Sequence, residues 1–206
     1  RVDRDWGTSG AIVGSIQETL NFFNSPTGQK HRQYYDPFEL SELINVPFIM
    51  MVGTEDHLFP IGGENDWIPR VEYNKGTVDL MPNTPHTSTT KYHLSNFRAV
   101  IQRVLDGRST PHVIMDYVVE GNQVTVTAKV EGTERIQSVK VQSASDDNTD
   151  LHDARWSGTP MTLKEDVYTA TLTKPANKYL ALYVEVEDMK DGISAYTTSL
   201  STRIEK

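Results

Sequence analysis

The period of the apolar residues changes once along the chain, and no other feature constrains the fold as much. As far as Gly107 they recur at helical spacing or gather in short continuous runs; beyond Arg108-Ser109-Thr110-Pro111 they alternate one in two. The first pattern belongs to helices with one buried stripe and to fully covered strands, the second to strands with one buried face. Two domains are therefore expected, residues 1–108 and residues 109–206, and 206 residues suffice to bury two cores.

In the first segment Ile12, Val13, Ile16, Leu20 and Phe23 mark one face of a helix over residues 10–23, which Ser25-Pro26-Thr27-Gly28 should end. Asp36-Pro37 predicts a turn, with a helical turn over 39–44 after it. The run Val46-Pro47-Phe48-Ile49-Met50-Met51-Val52 reads as a strand covered on both faces, the kind found in parallel sheets. A short helix over 67–73, a strand over 77–81 and a helix from Tyr92 to Leu105, stopped by Gly107, complete an alternation that has too few strands for a whole α/β fold.

In the second segment Val124, Val126, Ala128 and Val130 alternate with polar residues. Val139 and Val141 flank Lys140, and Tyr168, Ala170 and Leu172 alternate with threonines. Leu182, Val184 and Val186 alternate with Tyr183, Glu185 and Glu187. Turns are predicted at Glu120-Gly121-Asn122, Glu131-Gly132, Ser157-Gly158 and Lys190-Asp191-Gly192, which gives about seven short strands in an immunoglobulin-like antiparallel sandwich.

Composition removes several function classes. A formal net charge of -8 repels phosphate backbones, and the basic residues form no stripe, so nucleic acid is not an expected partner. No apolar run reaches the roughly 18 to 20 residues that a bilayer requires, so no membrane span is expected. The absence of cysteine excludes disulfides and thiolate chemistry. Arg1 to Trp6 resembles neither a signal peptide nor a domain start, and the N-terminus is read as a cut.

Chemistry points to two loops. The first strand runs into Gly53-Thr54-Glu55-Asp56-His57, and acids that leave the carboxyl end of such a strand are well placed to work; Asp56 is the candidate and Glu55 its rival. After the next strand Pro82-Asn83-Thr84-Pro85-His86 places a histidine on a loop held by two prolines, about 30 residues beyond the acid, in the order and spacing of a hydrolase triad. A carboxylate on one ring nitrogen fixes the imidazole tautomer, so that the other can take the proton of a nucleophile. The triad serine is not found: no G-x-S-x-G occurs, Ser9 and Ser15 read as helix-start and helix residues, and the nucleophile is expected upstream of Arg1. The expected fold class is thus α/β, the C-terminal part of an α/β-hydrolase with a parallel sheet flanked by helices, followed by the sandwich.

Other constellations are weaker. Asp146, Asn148 and Asp150 have the alternate spacing of a calcium loop, but Leu151 replaces the turn glycine and Ser157 the bidentate glutamate, so a solvated acidic loop is expected. His31, His57, His93, His112 and His152 show no metal-ligand spacing, and neither metal nor cofactor is assigned. Trp6, Trp67 and Trp156 read as core or domain-interface residues, with cleft-lining as the alternative.

In order, Trp6-Gly7, Tyr35-Asp36-Pro37-Phe38, Gly53-Thr54-Glu55-Asp56 with Phe59-Pro60, Met81-Pro82-Asn83-Thr84-Pro85-His86, Leu151-His152-Asp153-Ala154-Arg155-Trp156, the run from Tyr179 to Val186, and Tyr196-Thr197-Thr198 form a pattern. It resembles the C-terminal portion of the PhoPQ-activated pathogenicity-related proteins, exported hydrolase-like proteins. The match departs where Phe38 and Leu40 stand near the family's tyrosine. The resemblance implies Asp56 and His86 as acid and histidine, a periplasmic or extracellular location, and no particular substrate.

Two readings follow. In one the chain is part of a serine hydrolase acting on a small ester or peptide, partnered by the missing N-terminal part of the hydrolase domain. In the other it is a non-catalytic binding or signalling protein on a hydrolase scaffold, with a ligand-binding sandwich. A third, a complete carbohydrate-binding sandwich with an α/β appendage, leaves the strand from Phe48 to Val52 short of hydrogen-bonding neighbours.

Overall fold

The computed structural model describes residues 16–57, 59, 61–71, 76–86, 91–108, 111–132 and 135–206. Helices α1 (Ile16–Asn24) and α2 (Pro26–Tyr35) open the described chain, followed by α3 (Pro37–Leu40) and a 3-10 turn, Ser41–Leu43. Ser25 starts a helix as well as ending one: its hydroxyl accepts the Gly28 amide at 3.1 Å, and Pro26 sits in the first turn where its missing N–H costs nothing. The sequence signal at Ser25-Pro26 thus marked a junction between two helices.

Strand β1 (Phe48–Gly53), α4 (Glu64–Trp67), a 3-10 turn at Ile68–Arg70, β2 (Gly76–Met81) and α5 (Lys91–Leu105) follow. Beyond them, among the described residues, come nine strands: β3 (His112–Glu120), β4 (Gln123–Glu131), β5 (Ile136–Asp146), β6 (Ser157–Pro160), β7 (Thr162–Lys164), β8 (Val167–Thr173), β9 (Tyr179–Lys190), β10 (Ile193–Thr198) and β11 (Thr202–Ile204). The predicted turn at Ser157-Gly158 is the start of β6, whose Gly158 lies beside the Gln142 side chain. Asp191 and Gly192, both with positive φ (52° and 77°), make the tight hairpin between β9 and β10 that the sequence predicts.

The expected fold class is corrected by the sheet topology. One sheet has seven strands in the order β1-β2-β10-β9-β5-β6, with β11 also on β9; the other has four, β3-β4-β8-β7. Among the described strands β1 and β2 make the parallel pair, and the remaining pairings are antiparallel. In place of a parallel sheet flanked by helices, the described residues form a predominantly antiparallel sandwich, and the first segment adds two strands at one edge of its large sheet. The reason is hydrogen-bond satisfaction at the second edge of β2. That edge meets β10, with Thr198 opposite Val78, and the Thr198 hydroxyl accepts the Leu80 amide at 3.2 Å.

Two apolar clusters lie on opposite faces of the large sheet. The first, between the sheets, contains Val124, Val126, Val141, Leu182 and Val184, all wholly buried. The second gathers Val52, Val78 and Leu80 from the first segment with Leu151, Trp156 and Tyr183 from the second. Strand β9 feeds both, so Tyr183 and Glu185, which alternate with the core residues in sequence, are buried as well. No described helix is long and apolar enough to cross a membrane.

Candidate acid and histidine site

β1 and β2 run parallel and end together, Gly53 opposite Met81, so the loops that follow leave from one edge of the sheet. Those loops are held together by backbone bonds that extend the ladder. The Thr54 amide donates to Met81 O and the Glu55 amide to Thr84 O, each at 3.0 Å, while the Asn83 amide donates to Thr54 Oγ1 at 2.8 Å. Glycine is required at 53, because a Cβ there would stand 2.0 Å from the carbonyl oxygen of Thr84.

Within this frame the Asp56 carboxylate is buried, at 4% exposure, and works in two directions. Its Oδ1 accepts the Phe59 amide at 2.9 Å, and its Oδ2 meets His86 Nδ1 at 2.8 Å. His86 is partly open to solvent, and the Phe59 ring covers it with centroids 5.4 Å apart. Glu55 shares the loop, yet the carboxylate that meets His86 is that of Asp56. With Nδ1–H donated to Asp56, the ring's Nε2 is the basic nitrogen, the arrangement that lets a histidine accept a proton from a hydroxyl or a water.

The sandwich clamps the histidine loop from the other side. Asn83, at a positive φ of 52° that asparagine tolerates, donates through Nδ2 to Trp156 O at 3.0 Å and accepts the Trp156 amide through Oδ1 at 2.9 Å. Trp156 itself is buried in the second apolar cluster against Tyr183, with ring centroids 5.0 Å apart. Glu64 ties the loop after β1 to the same region: it accepts the Gly62 amide and the Ser201 hydroxyl, each at 2.6 Å. Burial pushes its carboxyl pKa up, against those hydrogen bonds.

Ser9, Ser15 and Trp6 lie outside the described residues, as does the side chain of Trp67. Asp146, Asn148 and Asp150 form successive turns in the acidic loop, the Asn148 amide on Asp146 Oδ1 at 3.0 Å and the Asp150 amide on Asn148 Oδ1 at 2.9 Å. One group escapes any reading by local spacing: His57, beside Asp56, meets His152 with ring centroids 4.2 Å apart. The two are distant in sequence and meet only because the second apolar cluster brings their loops together.

The model of the PhoPQ-activated pathogenicity-related protein family matches residues 13–155, which includes both loops of the site. The chain belongs to this family. As a member of the PhoPQ-activated pathogenicity-related proteins it matches no curated protein. Among solved structures, a β-1,3-glucan binding domain of carbohydrate-binding module family 56 shares 16% identity, covering 45% of this chain and 99% of that one, with a TM-score of 0.31. A DUF3823 family protein from Bacteroides ovatus shares 16% identity, covering 63% of this chain and 61% of that one, with a TM-score of 0.34. At TM-scores this low neither likeness bears on what this family member does.

Proposed function

We propose that this chain supplies the acid and the histidine of a serine-hydrolase-like site that cleaves a small ester or a peptide. The observation that carries the proposal is the 2.8 Å contact of Asp56 Oδ2 with His86 Nδ1 at the common end of two parallel strands. In the reaction, His86 Nε2 takes the proton of a serine hydroxyl as its oxygen bonds to the substrate carbonyl carbon. Asp56 holds the tautomer and stabilises the imidazolium that forms. The same proton passes to the leaving oxygen or nitrogen as the substrate bond breaks, and water, deprotonated by His86 in turn, releases the acyl group.

The serine comes from a further segment that docks beside β1. Two features support such a partner. Among the described strands β1 ends its sheet, and α5 leaves Leu94, Phe97 and Ile101 exposed at helical spacing on one apolar face, with Leu105 a turn further on.

The test uses the protein in which this chain and that segment occur together, treated with a fluorophosphonate probe. One serine should be labelled, and His86→Ala and Asp56→Asn should slow labelling roughly a thousandfold or more. Absence of labelling, or labelling unchanged in a folded His86→Ala variant, overturns the hydrolase reading and leaves a binding or signalling protein.

A further inference from the structure

A second polar constellation lies beside the acid loop and uses neither Asp56 nor His86. His152, on the loop between β5 and β6, is oriented by Asp150, whose Oδ1 accepts both His152 Nδ1 and the His152 amide, the latter at 3.3 Å. With Nδ1–H committed there, Nε2 carries the ring's lone pair. That nitrogen stands 3.2 Å from Asp153 Oδ2, itself an acceptor. In the neutral imidazole these two acceptors repel each other; a proton on Nε2 or a metal ion between them relieves that, and the metal makes both into ligands. Two ligands bound tetrahedrally at about 2.0–2.1 Å stand about 3.3 Å apart, close to the separation seen. His57 closes the set: one ligand atom each from His57, His152 and Asp153 all lie within 4.8 Å of one another.

We infer that His57, His152 and Asp153 bind a divalent transition-metal ion of the zinc class, with Asp150 as the outer carboxylate that fixes the His152 tautomer. Two imidazoles and one carboxylate select against magnesium and calcium, which take oxygen ligands. Asp153 and His57 are exposed, which leaves a fourth position to water. Because His57 follows Asp56 and His152 precedes Trp156, the ion cross-links the acid loop to the loop that Asn83 clamps. The proposal stands independently of the hydrolase reading.

The experiment is a calorimetric titration of the purified chain with zinc chloride, in a non-chelating buffer at neutral pH. The expected result is one ion per chain with a micromolar Kd, binding weakened at least tenfold by His57→Gln and by His152→Gln, and no competition from millimolar magnesium. Asp150→Asn should weaken it roughly tenfold through the tautomer. His57 is exposed, so its variant keeps the fold even where His152→Gln does not; circular dichroism checks both. Failure to saturate, binding that survives His57→Gln, or binding abolished by His86→Ala would each overturn the site.

Discussion

Asp79 shows what a single residue contributes when a strand is covered on a face that its pattern leaves open. It lies on β2 between Val78 and Leu80, wholly enclosed, and its carboxylate accepts from Asn96 Nδ2 of α5. Burial, reinforced by the nearby Glu185 charge, pushes its pKa up to about 8 against the help of Asn96. The unfolded chain releases this proton near pH 4, so from about pH 4 to about pH 8 the native state holds a proton that the unfolded state has lost. Stability therefore falls as pH rises through that window, by up to roughly 1.4 kcal/mol per unit from this group. Urea unfolding at pH 5 and pH 8 should give a lower midpoint at pH 8, and Asp79→Asn should shrink the difference. Some slope should persist, because Glu64 and Glu185 are raised in the same direction by burial. Equal slopes in variant and parent would show that Asp79 is ionised in the folded chain.

At the scale of elements, α5 is attached to the large sheet by polar anchors more than by its apolar stripe. Asn96 accepts the Tyr196 amide of β10 at 2.6 Å while donating to Asp79. Arg103 reaches Asp188 of β9, its Nη2 lying 2.5 and 2.6 Å from the two carboxylate oxygens, with both side chains buried. Removing one member of such a pair strands the other in the interior. Arg103→Ala should therefore cost on the order of 3–5 kcal/mol in denaturant unfolding, and the double variant Arg103→Met/Asp188→Leu should recover most of that loss. A cost below about 1 kcal/mol for the single variant would mean that solvent already screens the pair.

At the scale of the whole molecule, the second apolar cluster joins the two segments. Val52, Val78 and Leu80 are buried with Trp156 and Tyr183, and β2 pairs with β10, a strand near the end of the chain. Residues 1–108 expressed alone should fail to unfold cooperatively, since the β10 edge of β2 and the apolar face above it would be open to water. Heteronuclear NMR of that piece should show poor dispersion. A well-dispersed spectrum with a sharp thermal transition would instead make it an autonomous domain.

Local pattern alone determined most elements, because the chemistry that sets them is local. The period of two over Val124–Val130 and the positive-φ residues at Asp191-Gly192 fix strands and a hairpin without reference to distant residues. The loops bearing Asp56 and His86 were likewise legible, since both follow apolar runs that end in glycine or proline turns. What pairs with β2 was not legible, because an unfilled strand edge takes whichever partner the tertiary fold brings to it, and here that partner is β10 rather than another parallel strand. For the same reason the burial of Tyr183 and Glu185, and the meeting of His57 with His152, were decided only by the packing of the first segment on β9: periodicity says which residues share a face, and only the assembled molecule says whether that face is covered.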